Sequence, residues 1–236
     1  MKSHFLIFSE DSPAKQVLYK VLFIDSLLVT FAISSAIAVG DSPDLHFREE
    51  GFLTYVSCLQ LLIAAVISSK IFGMIKNHPN HKLSGSKIIW LVIGLGLLFL
   101  ALDDAFEIHE QIDFLLHDAL NITPTNISDL LDDLIVGAYL LIFLVYIAFE
   151  WKTIQTFKSA FVFFQIGFVM ALMMVILDIA SNNNFFVSLL TDDAERAEAL
   201  KQWLSVWEDA AKIYAEGMFI VGVYKCRQIV KSMDNK

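Results

Sequence analysis

Near the end of its third apolar run the chain reads Leu102-Asp103-Asp104-Ala105-Phe106-Glu107-Ile108-His109-Glu110. The residues just before it, 88–102, carry no charge. A helix needs about 20 residues to cross the hydrocarbon. A span that starts near Lys87 must therefore carry Asp103, Asp104 and Glu107 to membrane depth. Ionisable groups are costly there and point to function. At about 100° per residue, Asp103, Glu107 and Glu110 fall on one face of a continuous helix, a spacing that presents three carboxylates to one cation. His109 stands beside them. Histidine titrates near neutral pH, so it suits a general base or a ligand, and Asp104 is the second candidate for catalysis.

More acids gather in other segments. Asp129, Asp132 and Asp133 open the fourth apolar segment, Asp178 closes the fifth, and Glu208 and Asp209 open the sixth, with Lys212 and Glu216 deeper. Asp103, Glu107, Glu110, Glu208 and Asp209 are the expected metal ligands. Lys212, Glu216, Asp133 and Asp178 are the expected relay or ion-pair residues. Glu208 and Glu216 each lie four residues from Lys212, so an intrahelical pair is the first expectation for that lysine. Carboxylates with one or two histidines suit a hard or intermediate divalent cation: Mg, Mn, Ca or Fe. Acids at helix N-termini also serve as caps. That reading covers the acids of the fourth and sixth segments but not those of the third, where the macrodipole opposes a carboxylate. Asp25, in the first segment, stands alone in sequence and is expected to pair locally.

The elements that must position these groups are membrane helices. Of the 236 residues, 56% are hydrophobic and 18% charged, a balance unlike that of a soluble domain of this size. Long continuous apolar runs exclude a β-barrel, which shows short alternating segments. Six spans are expected, at about 17–39, 51–74, 88–107, 134–149, 160–181 and 205–224, forming an all-α six-helix bundle in a single domain over 1–236. The stretch 110–129 is expected as a connection. Thr191-Asp192-Asp193 is a candidate helix cap, and 195–207 is expected as a separate interfacial helix anchored by Trp203 and Trp207. Thirteen of the 17 basic residues fall in the two termini and in the second and fourth connections. That partition places both termini in the cytoplasm. The acid-rich ends of the helices then meet at the outer leaflet of a bacterial inner (plasma) membrane. Membrane lipids are the expected partners, with a homo-oligomer or a partner membrane subunit compatible. A net charge of −9 gives no reason to expect nucleic acid. Two cysteines, Cys58 and Cys226, lie at different depths and are not expected to bridge.

Asp103-Asp104-x-x-Glu107 is similar to the aspartate-rich Mg–diphosphate motif of prenyl-transferring enzymes, although the second signature of those enzymes is missing. Glu208-x-x-x-Lys212 is similar to the acid–lysine pair in the last helix of microbial rhodopsins, but six spans and no counterion helix oppose that likeness. Leu102-Asp103-Asp104 with His109-Glu110, together with Trp207-Glu208-Asp209 and Glu216-Gly217, resembles a family of uncharacterised bacterial multi-pass membrane proteins. That resemblance implies a shared site and brings no activity. Three functions are therefore weighed: a metal-dependent membrane hydrolase acting on a lipid or isoprenoid group, a cation- or proton-coupled transporter, and a non-catalytic membrane subunit.

Overall fold

In hydrocarbon every backbone N–H and C=O must find its partner inside the protein, and an apolar run of about 20 residues does so by forming a helix. The computed structural model describes residues 13–48, 51–77, 87–120, 131–182 and 184–234, and no strand occurs among them. The helices are α1 (Pro13–Val39), α2 (Phe52–Asn77), α3 (Lys87–Phe106), α4 (Ile108–Leu120), α5 (Leu131–Phe149), α6 (Trp151–Ile154), α7 (Phe161–Asn182), α8 (Asn184–Leu190) and α9 (Ala194–Asp234). A 3-10 turn over Gln155–Ala160 joins α6 to α7.

Four helical segments are long and apolar enough to cross a membrane: α1, α2, α3 and the run from α6 through α7. The apolar part of α5, Gly137–Phe149, is shorter. α9 is the inner pillar. It packs on α7, α2 and α1, while α3 leans on α2. Val206, Ala210, Ile213, Val221, Cys226 and Val230 of α9 are buried. A helix enclosed by its neighbours can carry polar residues that a lipid-facing helix cannot.

Apolar side chains pack at both ends of α2, around Leu53 and Val206 at one and around Ile75 and Val230 at the other. At the lysine-rich end, Ile71 and Ile75 of α2, Trp90 of α3, Phe157 of the 3-10 turn and Val223 of α9 share one apolar core. The rings of Trp90 and Phe157 meet edge to face, 5.0 Å between centroids. Gly94 lets α3 approach α2 closely, because a Cβ there would sit 3.3 Å from Ser69 Oγ and 3.4 Å from the Ala65 carbonyl. α5 reaches this core through Tyr146 and Ile147, which are partly buried against it. Its main partners are α4 and α6 at its two ends. It also touches α3 through Phe99 and Tyr139 (5.1 Å) and α7 through Phe143 and Phe168 (6.4 Å).

Three expectations are corrected. α4 occupies the first half of what reads as a connection. The stretch 195–207 is not a separate interfacial helix, because α9 runs unbroken for 41 residues. At ~1.5 Å per residue that is about 61 Å, twice the ~30 Å hydrocarbon thickness, so Trp203 and Trp207 ride exposed on its extension. The third correction concerns the acid-bearing helix, which does not continue through Glu107.

Candidate functional site

The chain breaks at Glu107. This residue takes φ +52°, the left-handed region, and separates α3 from α4. Asp103, Glu107 and Glu110 therefore do not share the face that a continuous helix would give them. The break also resolves the dipole problem at the end of α3. Asp103 Oδ1 accepts the backbone N–H of His109 (2.9 Å), in the first turn of α4, and its Oδ2 lies 3.1 Å from His109 Nδ1. A carboxylate disfavoured at the C-terminus of α3 is thus favoured at the N-terminus of α4. Asp103 is a corner residue that orients His109. Replacing it with alanine removes both bonds and is expected to cost about 1–2 kcal/mol, in the range of a lost helix cap. A melting temperature equal to that of the native protein would contradict this role.

Asp104, the next residue, has a different partner. It lies in the last turn of α3 and also needs a compensating positive charge. Lys212 Nζ of α9 donates to Asp104 Oδ1. The ion pair crosses from α9 to α3, beside the electrostatic attraction of Glu216 on the same helix as the lysine. Cys58 Sγ of α2 donates to the other Asp104 oxygen at 3.6 Å. Glu216 instead accepts Ser57 Oγ of α2 at 2.7 Å and is 6% exposed. Asp25 is not isolated. It is 1% exposed and accepts Gln60 Nε2 at 2.7 Å. Beside it Ser26 Oγ and Tyr214 Oη bond at 2.8 Å.

Asp103, Asp104, His109, Lys212 and Glu216 border a cavity of about 1680 Å³ between α3, α5, α7 and α9, while Asp25, Ser57, Cys58 and Gln60 lie behind its wall. One end is polar. Asp103, Asp104, Glu107, His109 and Glu110 line it, together with Asp178, Glu208, Asp209, Lys212 and Glu216. Asp178 also accepts Asn182 Nδ2 at 2.7 Å. The other end is apolar, walled by Leu97, Phe143, Phe164, Phe168, Phe219 and Val223. Phe219 meets Phe168 edge to face at 5.5 Å. The linker between α1 and α2 lines the polar end as well. There burial opposes ionisation of Asp44, but hydrogen bonds from Ser42 and Arg48 and the Arg48 charge hold its carboxyl below the ordinary range.

The cavity thus collects ten of the eleven expected site residues. Asp133 lies in the first turn of α5, and its side chain, like the whole of Asp129, falls outside the described residues. Gathering at a cavity is not ligation. Among the described residues no three His, Cys, Asp or Glu side chains are grouped closely enough to hold a metal ion. Asp103 is committed to His109 and Asp104 to Lys212. The sequence reading did not place Ser57, Cys58 or Gln60 near the site. Their signal was polarity inside an apolar run, which is common in membrane helices and does not name a partner. Asp193 does act as a cap, accepting the N–H groups of Glu195 (3.0 Å) and Arg196 (3.4 Å).

Glu107 itself is testable. A non-glycine residue at positive φ costs about 1–2 kcal/mol. Glu107→Gly is therefore expected to leave the melting temperature unchanged or raise it, and Glu107→Val to lower it. If glycine destabilises as much as valine, the left-handed break is wrong.

The family model described as a domain of unknown function, DUF8692, matches residues 21–225, and the chain belongs to that family. The match takes in every cavity residue named above. No curated protein and no solved structure matches the chain.

Proposed function

We propose that this protein is a membrane-embedded, cation-dependent enzyme whose cavity takes an amphiphile, with a lipid or isoprenoid tail in the apolar end and an anionic polar group at the acidic end. One observation carries the reading: the acid cluster and the aromatic-walled interior belong to a single cavity. A polar substrate alone would have no use for the Phe164–Phe168–Phe219 wall. A simple lipid cleft would have no use for the acids.

The cation enters with the substrate. Mg²⁺ is commonly held by one or two carboxylates plus substrate phosphate oxygens, with no all-protein cage. Glu107 and Glu110, or Glu208 and Asp209, supply such a pair at the polar end, and Mn, Ca or Fe are the alternatives in the same class. A bound divalent ion would neutralise the substrate's charge among the acids and polarise the bond to be cleaved. The chain's own contribution is positional. Asp103 orients His109 as a general base, and Lys212 holds Asp104 at the cavity wall. Hydrolysis at the polar end is the reaction class that suits a base beside a cation. Glu107 supports this reading from another side, since strained backbone at a cavity rim is a common mark of function.

The same proposal includes six spans with both termini cytoplasmic in a bacterial inner membrane. α5 and the central part of α9 would complete the four apolar spans, and the basic-residue partition supports the orientation. A second reading, a cation- or proton-coupled carrier, draws on Glu216 and Lys212, which line the cavity from within the bundle.

The test is binding of a long-chain isoprenoid diphosphate to the detergent-purified protein, with and without Mg²⁺. Gly96 lines the cavity, and a Cβ there meets nothing within 4 Å. Gly96→Trp should fill the tail site without disturbing the fold and weaken binding at least about tenfold, ~1.4 kcal/mol. Inorganic diphosphate should bind far more weakly. Equal binding of the short and long anions, or binding indifferent to Mg²⁺, would overturn the proposal.

A further inference from the structure

The polar end of the cavity is not purely acidic. Arg48, in the linker between α1 and α2, lines it, and Lys201 lines the cavity from α9, two turns before Glu208. Asp44 takes one edge of the Arg48 guanidinium: Nε donates to its Oδ2 at 3.1 Å and Nη2 to its Oδ1 at 3.5 Å. Nη2 also donates to Ser42 Oγ at 2.8 Å. Those bonds use three of the five N–H groups that a guanidinium carries. The two on Nη1 have no acceptor among the described residues, and the side chain is 56% exposed. The linker holds this arginine in place. Phe47, its neighbour in the chain, is buried with Ala32, Leu53 and Val206. The Phe47 N–H donates to the Asp44 carbonyl at 2.8 Å and the Leu45 N–H to the Ser42 carbonyl at 3.1 Å, so both partners of Arg48 sit in hydrogen-bonded turns. Gly51 permits the tight path that follows, because a Cβ there would meet the His46 carbonyl oxygen at 2.3 Å. The guanidinium is therefore oriented before a ligand arrives, which reduces the ordering cost of binding.

We propose that Arg48 is the head-group recognition residue of this cavity, and that the group it takes is a phosphate or diphosphate. The inference rests on the amphiphile reading and names its polar group. Two N–H groups on one charged nitrogen suit an oxyanion with several acceptor oxygens, which a phosphate has and a neutral lipid head lacks. Arginine keeps its charge at any working pH, so the site stays positive whatever the acids around it do. A phosphate also has oxygens left over for the cation that the carboxylates would hold, so one group can touch both. Lys212 is a poorer candidate for the same role, because it is committed to Asp104. Arg48 stands in the linker, apart from the helices that carry the cluster, and an exposed position lets it meet the anion first.

The experiment measures binding of geranylgeranyl diphosphate, inorganic diphosphate and geranylgeraniol to the full chain in detergent, with Mg²⁺ present. Arg48→Gln should weaken both diphosphates by the same factor, about tenfold or more, and leave the alcohol unchanged. Arg48→Lys keeps the charge but not the guanidinium geometry and should recover part of the affinity. Both variants should melt with the native protein, because an exposed ion pair contributes little to stability. Gly96→Trp should give the opposite pattern, weakening the two tailed ligands and sparing inorganic diphosphate. If Arg48→Gln binds both diphosphates as tightly as the native protein, or loses the alcohol equally, the role of Arg48 is overturned whatever the tail does. If the native protein binds the two diphosphates equally and Arg48→Gln weakens both, the amphiphile reading fails and a site for free diphosphate stands. A native protein that binds neither diphosphate overturns both.

Discussion

Lys212→Met destabilises the bundle by about 2–3 kcal/mol, somewhat below the ~3–5 kcal/mol of a fully enclosed pair. The discount reflects geometry: both partners border the cavity, and their side chains keep 26% and 14% exposure. The loss arises because Asp104 is left as an uncompensated carboxylate at the C-terminus of α3, where the helix dipole adds to the penalty. Asp104→Asn in the Lys212→Met background should recover most of it. The double-mutant cycle therefore carries the weight of the prediction. Additive losses would mean that the lysine and the aspartate do not interact across the two helices.

Gly217→Ala is the second large effect, with an expected cost of about 2–3 kcal/mol, at the upper end for overpacking by one methyl group. A Cβ at this position would meet Asp25 Oδ2 at 2.5 Å and Val21 Cγ1 at 2.6 Å. Flexible side chains often absorb such a contact, but Asp25 is fully buried and tied to Gln60. α1 must shift or the Asp25–Gln60 bond must break. Comparison of melting temperatures measures the cost. A change of less than about 1 °C, under half a kcal/mol at this size, would show that α1 does not rest on Gly217.

The helices were legible in the sequence wherever apolar content alone decides them. α1, α2, α3 and α7 follow from runs that have no other stable state in hydrocarbon. Hydropathy was less informative for α9, because its polar and small residues face other helices and lipid does not penalise them. The break at Glu107 was not legible. No glycine or proline marks it, and 100° periodicity through Asp103, Glu107 and Glu110 reads as one face whether or not the helix continues. Lys212 illustrates a different limit. Spacing of four residues nominates Glu208 and Glu216, since a single sequence displays only local neighbours. The partner that crosses to α3 is set by the tertiary fold, in which α3 and α9 both pack on α2. Asp25 looked isolated for the same reason: its hydrogen-bond donor is 35 residues away on α2.

The central claim is that a cation at the acidic end is held jointly by carboxylates and by the polar group of an amphiphile in the cavity. Electron–nuclear double resonance on protein-bound Mn²⁺, with a long-chain isoprenoid diphosphate present, tests this most directly. The account predicts tight Mn²⁺ binding only when the amphiphile is present, a ³¹P coupling from direct coordination, and loss of that signal in Gly96→Trp and in one of Glu107→Gln and Glu208→Gln. Mn²⁺ bound equally well without the amphiphile, or bound with no ³¹P coupling, would contradict it.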